Sequence, residues 1–469
     1  MSRAKSRYFL VWRWHFYAGF FAAPFMLILS LTGLVMLFDD EIEMARYSDV
    51  LSVTIQQTEL PISYQLDAVK QQYPDSIITQ FIPAISSDQA NRFNVRSPGG
   101  KSVLVTIDPF TGDVLGEIDR SNSWYELANK IHGTLLIGNT GDFLIETAAS
   151  ISMLLLISGL YLWFPTDRAS RAGFLVLRMS SGLRIFMRDL HANLGGILSL
   201  ILFLFLLSGL AWTGVWGAKL VQGWNTFPPF YTWGEKPESQ LTHSSLNHGS
   251  EEEMPWNLEL AILPESQHEQ HNAESHLSAT EQEKNDRADK AVSIDVITQM
   301  ATELGFSRYK LFLPLSETGV YTLAANTMAG DIVDPRDDRT THIDQYSGKV
   351  LIDVTWHDYS IFAKLMAAGV SWHQGDMGLL NKVANAFFCF SFIAISVTGI
   401  YMWWIRRPKN QSKLGVPARF EHDGVWKTAI GSTILVCLCF PLAGVLIIAA
   451  LAADMLIVKH SAKLQNYLS

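Results

Sequence analysis

The sequence predicts an α-helical membrane protein, a bundle of about five transmembrane helices carrying two small α+β domains outside the bilayer in a tandem duplicated unit. Three observations predict it: apolar residues gathered into long runs, Lys and Arg gathered into the short connections between them, and a histidine–glycine pattern that occurs twice. Over 469 residues the hydrophobic share is 48%, an average over very unequal parts. Five runs reach the roughly 20 residues needed to cross a hydrocarbon core about 30 Å thick.

Residues 12–38 are the first expected span. The run is longer than the apolar core of a signal peptide and has no clear small-residue cleavage site, so it reads as a retained anchor. Residues 39–131 follow as the first outer domain, and 142–164 as the second span. Residues 165–190 are a short loop holding Arg168, Arg171, Arg178, Arg184 and Arg188. The third span is expected at 191–216, a linker at 217–290, the second outer domain at 291–372 and the fourth span at 379–404. Residues 405–427 are again basic (Arg406, Arg407, Lys409, Lys413, Arg419, Lys427), and 428–458 are the fifth span. Arg3, Lys5, Arg7 and Arg13 precede the first span. Basic connections remain on the cytoplasmic side, so the N-terminus is expected inside and the long acidic segments outside. Aromatic residues crowd the span ends (Trp12, Trp14, Trp163, Trp212, Trp216, Trp403, Trp404), as interfacial belts do. The net charge of −9 comes largely from the outer loops and argues against nucleic acid as a partner.

Laid side by side, the first and third spans share a plan. His15 is followed four residues later by Gly19 and then by Ser30-Leu-Thr-Gly33-Leu; His191 is followed by Gly195 and then by Ser208-Gly-Leu. The second and fourth spans match as closely, Ile157-Ser-Gly159-Leu-Tyr-Leu-Trp against Val397-Thr-Gly399-Ile-Tyr-Met-Trp, each behind a Gly-rich stretch with a histidine, His132 or His373. Outside, Ile107-Asp-Pro-Phe-Thr-Gly112-Asp-Val-Leu pairs with Ile343-Asp-Gln-Tyr-Ser-Gly348-Lys-Val-Leu, each read as strand, turn, strand behind a helix at 61–73 or 293–304. An even number of spans separates the copies, so they share one orientation. The second copy also carries an insertion, 235–290, rich in Ser, Glu, Gln, Asn and His. It has the composition of a solvated low-complexity segment, with Met254-Pro-Trp256-Asn-Leu-Glu259 apolar enough to dock.

An imidazole half-buried in lipid is costly and usually functional, and four at duplicated positions point to a redox cofactor. His15 and His191 lie at cytoplasmic ends and His132 and His373 at the outer face, so each can pair only with its own repeat partner across a core about 30 Å thick. Two bis-histidine haems follow, one near each face. Gly19, Ala22, Ala23, Gly195 and Gly196 lie within two turns of His15 or His191 and leave room for a flat macrocycle or for close helix packing. Zinc wants three or four ligands, often with Cys. The cysteines, Cys389, Cys437 and Cys439, lie within spans, and no C-x-x-C-H attachment site occurs. The insertion's His243, His248, His268, His271 and His276 read as solvated. Trp124, Tyr125, Trp356, Tyr359 and Trp372 are candidates for the wall of an outer substrate site, or part of the interfacial belt.

The duplicated histidine-bearing spans, the Ile107–Leu115 turn, Pro255-Trp-Asn-Leu-Glu259 and the Ser158-Gly-Leu-Tyr-Leu-Trp-Phe-Pro165 exit resemble the PepSY-associated transmembrane proteins, and within them the inner-membrane ferric-siderophore reductases. The resemblance runs through most of residues 7–408 and makes the outer domains PepSY-like and periplasmic. It implies a di-haem b oxidoreductase of the bacterial inner membrane, with His15, His191, His132 and His373 as axial ligands of the two haem irons. Electrons would pass from a quinol or a cytoplasmic reductase to a ferric siderophore outside, releasing Fe(II). No flavin or nicotinamide domain is appended, so the donor is expected to be external. Two alternatives stand beside it: a PepSY-type regulatory or sensor protein with no redox role, and a haem electron carrier for another periplasmic acceptor.

Overall fold

The uneven apolar pattern separates the chain into two units in the computed structural model, which describes residues 3–165, 170–221, 239–248, 253–266, 291–408, 413–417 and 426–468. One unit comprises Met1–Leu37, Leu127–Gln222 and Val383–Ser469; the other comprises Phe38–Glu126 and Gly223–Lys382.

In the first unit, Arg7–Leu37, Asn139–Trp163, Leu379–Arg406 and Pro441–His460 are long and apolar enough to cross a membrane. The third expected span departs from a straight rod. It begins at Leu183 and bends by 67° between Ile197 and Ser199. The bend follows Gly195-Gly196, where Leu198 sits at the edge of the helical region (φ −90°, ψ 0°) and the Ser199 hydroxyl donates to the Gly196 carbonyl at 2.9 Å. It also ends at Trp212 rather than Trp216. Thr213 turns extended, and the freed backbone N–H groups of Gly214, Val215 and Trp216 donate to the carboxylates of Asp142 and Glu146 on the second span. Glu146 is buried in an apolar helix and is satisfied there by this backbone.

The expected fifth span, 428–458, is likewise two helices, Trp426–Cys439 and Pro441–Leu456. Pro441 has no N–H for the ladder and pushes Phe440 to an extended conformation (φ −134°, ψ 83°). The second helix then folds so tightly on the first that a Cβ at Gly444 would lie 2.6 Å from Cys437 Cα. His132 occupies its own short helix, Trp124–Thr134, separate from the second span. The break falls at Leu135, Leu136 and Gly138, all with positive φ. A single straight helix from His132 to Phe164 would be about 48 Å long, well beyond the hydrocarbon thickness.

The second unit holds both α+β segments in one sheet. Strands β1 (Ile77–Ile82), β2 (Asn91–Arg96), β3 (Ser102–Ile107) and β4 (Val114–Ile118) form one antiparallel meander. Strands β5 (Lys310–Phe312), β6 (Val320–Ala325), β7 (Arg339–Asp344) and β8 (Val350–Thr355) form the other. The two join through their first strands, Gln80 opposite Phe312 and Phe81 opposite Leu311, in the order β4-β3-β2-β1-β5-β6-β7-β8. Pairing β1 with β5 covers the edge that each meander would otherwise leave open. Helices Ile62–Gln72 and Ile294–Glu303, near the expected 61–73 and 293–304, cover one face together. Their Val69, Ile294, Ile297 and Ala301 share one core with Phe81, Phe93, Val105, Leu311 and Leu323. The duplicated Ile-Asp motif proves to be a turn. Asp108 accepts the N–H groups of Phe110 and Thr111, Asp344 those of Tyr346 and Ser347, and Gly112 and Gly348 supply the positive φ that follows.

The opposite face is covered by part of the insertion, a strap formed by residues 239–248 and 253–266. Met254 and Leu258 are buried, as the apolar character of 254–259 predicts. His243 and His248 correct the expectation of solvated histidines, since both are buried; His268, His271 and His276 lie outside the described residues. His248 stacks on Phe312, bonds Thr79 Oγ1 at 2.8 Å and meets the Glu253 carboxylate, which also accepts from Gln80 at 3.0 Å and lies 3.7 Å from Lys310. The sequence could not show this, because these polar residues find partners only when the strap crosses β1 and β5.

His243 Nδ1 donates to the Ala261 carbonyl at 2.7 Å, so its bare Nε2 accepts from His342 Nε2 at 2.9 Å, while His342 Nδ1 accepts from the Thr322 hydroxyl at 2.8 Å. Burial lowers the His243 pKa to about 4; burial and then the charge on His243 push His342 well below its ordinary value. A free histidine titrates near pH 6.5. Both folded-state values are depressed, so the stability they contribute is complete above about pH 6.5 and is lost as pH falls towards about 4. Amide exchange over residues 254–263, corrected for its intrinsic rate, should therefore accelerate between pH 6.5 and 4. A flat profile would show that the histidine pair does not hold the strap.

Candidate functional site

Three of the four histidines lie in the membrane unit, each with Nδ1 against a Ser or Thr hydroxyl of another span. His15, on the Arg3–Leu37 helix, places Nδ1 2.9 Å from Ser158 Oγ of the second span. His191, on the Leu183–Ile197 helix, places Nδ1 2.9 Å from the Ile395 carbonyl and 3.2 Å from Thr398 Oγ1 of the fourth. His132 places Nδ1 2.9 Å from Thr32 Oγ1 of the first. A glycine follows each hydroxyl residue and lies under the ring. A Cβ at Gly159, Gly399 or Gly33 would stand 3.1, 3.3 or 3.7 Å from Cε1 of His15, His191 or His132. The duplication is therefore repeated in space: the histidine of span one lies on the Ser-Gly of span two, and that of span three on the Thr-Gly of span four.

These contacts decide the tautomer. Each hydroxyl has a single proton, and each has a helix carbonyl within reach: Leu155 for Ser158, Ile28 for Thr32, Ala394 for Thr398. The Ile395 carbonyl can only accept, so His191 carries its hydrogen on Nδ1; at His15 and His132 the hydroxyl accepts from the ring when its own proton goes to the helix carbonyl. Nε2 then keeps its lone pair. A neutral imidazole with Nδ1–H hydrogen-bonded and Nε2 bare is the form that ligates a metal.

His15 and His191 are brought together, with ring centroids 6.3 Å apart and planes at 86°. Two imidazoles on opposite sides of one metal ion would have centroids about 6.3 Å apart, taking metal–nitrogen bonds of about 2.0 Å and about 1.15 Å from ring nitrogen to centroid. Among the described residues no three His, Cys, Asp or Glu side chains gather into a metal-binding group. Two nitrogen donors alone suit a metal that brings its own equatorial ligands, and haem iron is such a metal. The pair therefore fits haem.

The small residues near the pair divide by role. A Cβ at Gly195 would meet nothing within 4 Å, which leaves open space one turn from His191. Gly196 instead receives Trp163, whose ring would lie 2.2 Å from an added Cβ, and Ala22 packs in a cluster with Ile151 and Ala443. Those two serve helix packing. His373 belongs to the other unit, half-buried in the last turn of the Ile361–Gln374 helix before Gly375 (φ 96°). Of the aromatic residues proposed as a substrate wall, Tyr359 is buried at 3% exposure and Trp356 packs on it, so these two are core of the sheet unit. Trp124 is exposed, and Tyr125 and Trp372 are half-buried.

The family model for the PepSY-associated TM region matches residues 12–406, a stretch containing all four histidines and the three Ser/Thr-Gly pairs that hold His15, His132 and His191. The chain belongs to the PepSY-associated transmembrane family. No curated protein matches it significantly. Membership accounts for the apolar spans of this PepSY-associated protein and leaves its chemistry to be argued from the histidines.

The hydroxyl residues Thr32, Ser158 and Thr398 went unassigned in the sequence, although the signal was present. Each stands before a glycine at a duplicated place, and a repeated Ser/Thr-Gly in an apolar helix needs a reason.

Proposed function

We propose that this PepSY-associated protein is a di-haem b oxidoreductase of the bacterial inner membrane that passes electrons outward to a ferric siderophore in the periplasm and releases Fe(II). The observation that carries the proposal is the His15–His191 pair, with ring centroids 6.3 Å apart and each Nδ1 turned to a hydrogen-bonding partner on another span. His15 and His191 would hold the inner haem. The duplication assigns His132 and His373 to the outer one. Bound haem would supply one-electron carriage. The chain's own part is to orient the imidazoles, exclude water with apolar helices and hold the Nδ1 protons. The basic connections at 165–190 and 405–427 support a cytoplasmic position for the inner pair, where a quinol or a cytoplasmic reductase would be the donor. Siderophores hold Fe(III) far more tightly than Fe(II), so a single electron would release the metal.

An absorption spectrum of the detergent-purified protein before and after dithionite tests the haem. A Soret band with sharpened visible bands on reduction is expected, and a colourless protein would leave the regulatory reading. Direction is tested in spheroplasts. A membrane-impermeant ferric siderophore added outside should reoxidise the reduced haems, with Fe(II) caught by an external chelator. Haems that stay reduced with every ferric chelate supplied would make the protein an electron carrier for another acceptor.

A further inference from the structure

We infer that Ser158, and to a smaller degree Thr398, are positioning residues that set the ligand strength of His15 and His191, and hence the reduction potential of whatever metal the pair holds. The inference rests on the haem reading above and deepens it. The two ring centroids lie 6.3 Å apart, but the partners of their Nδ1 atoms differ. His15 has one acceptor, the Ser158 hydroxyl at 2.9 Å. His191 has two, the Ile395 carbonyl at 2.9 Å and the Thr398 hydroxyl at 3.2 Å. An acceptor on Nδ1–H raises the basicity of Nε2, fixes the ring's orientation and favours the more highly charged ferric state. Losing the acceptor makes the ring a weaker donor and raises the potential.

The two hydroxyls are therefore unequal. Ser158→Ala leaves the His15 Nδ1–H without a partner in an apolar helix pair, whereas Thr398→Ala leaves His191 bonded to Ile395. Neither serine nor threonine touches the metal. Both change size little on truncation, and Ser158→Thr keeps the accepting oxygen. The glycines complete the seat. A Cβ at Gly159 or Gly399 would stand 3.1 or 3.3 Å from Cε1, close enough that the ring would have to give by a few tenths of an ångström.

Redox titration of the purified holoprotein, followed in the visible spectrum with the wild type beside it, tests this directly. Ser158→Ala should raise the midpoint of one haem, with a roughly threefold to tenfold larger reduced-to-oxidised ratio at the wild-type midpoint, tenfold being 59 mV for one electron. Thr398→Ala should move the same haem by less, and Ser158→Thr should restore the wild-type potential. Low-temperature electron paramagnetic resonance of the ferric form should show altered g-values in Ser158→Ala and wild-type values in Ser158→Thr. Wild-type potential and g-values in Ser158→Ala, a downward shift, or an equal shift in Thr398→Ala would each overturn the inference while leaving the haem reading intact. A wild-type protein without haem would instead end the haem reading itself. If Ser158→Ala binds no haem, Thr398→Ala and Ser158→Thr still decide: a small upward shift in Thr398→Ala with the wild-type potential in Ser158→Thr supports the unequal seats, and a large shift in Thr398→Ala or a shifted potential in Ser158→Thr refutes them.

Discussion

If each histidine pair holds one haem as proposed, replacing His15 or His191 by alanine is expected to remove one haem and leave about half of the wild-type pyridine haemochrome signal, because the iron would lose one of its two protein ligands. His132→Ala or His373→Ala should remove the other half. Double variants sharpen the test, since two residues serving one site lose no more together than either does alone. His15→Ala with His191→Ala should still retain about half the haem, whereas His15→Ala with His132→Ala should retain almost none. Full haem in all four single variants would refute the assignment. Loss of all haem in His15→Ala, with the outer pair intact, would refute the independence of the two sites.

The sheet unit should respond to a core truncation as one body. Leu311 is fully buried on the seam strand β5, opposite Phe81, in the core shared by both meanders. Leu311→Ala should cost about 2–5 kcal/mol, the range for a buried leucine that leaves a cavity. Its effect should cross the seam. Amide exchange in the full-length protein should increase in β2 and β3 as much as in β6 and β7. Protection unchanged through β1–β4 while β5–β8 opens would show two independently stable halves.

Reading the chain from its residues reached the apolar segments, the duplicated pattern and the meeting of His15 with His191, because each leaves a local mark. A run of apolar residues long enough for a bilayer is visible without neighbours. The break after His132 carried a signal in the sequence, since a continuous helix to Phe164 would be too long for the membrane, and it falls at Leu135, Leu136 and Gly138. The division of 428–458 at Pro441 carried a signal that average hydropathy conceals. The bend at Leu198 carried a weaker one, the Gly195-Gly196 pair, which hydropathy reads as ordinary span.

What the sequence by itself determined about this protein is the set of properties that depend on composition and period: a membrane-embedded helical bundle, strands and turns in duplicate, and histidines at matching positions. Only the tertiary structure decided which groups those residues meet. It joined β1 to β5, because an open strand edge is stabilised by whichever compatible edge lies beside it, and that neighbour is more than 200 residues away along the chain. It buried His243 and His248 under the strap, where Ala261, His342, Thr79 and Glu253 supply the partners that composition alone could not promise. It set Ser158 against His15, and Thr398 with the Ile395 carbonyl against His191, and at His191 that carbonyl decides which ring nitrogen holds the proton. A tautomer belongs to a hydrogen-bond network, and a network exists only once distant segments are brought within about 3 Å of one another.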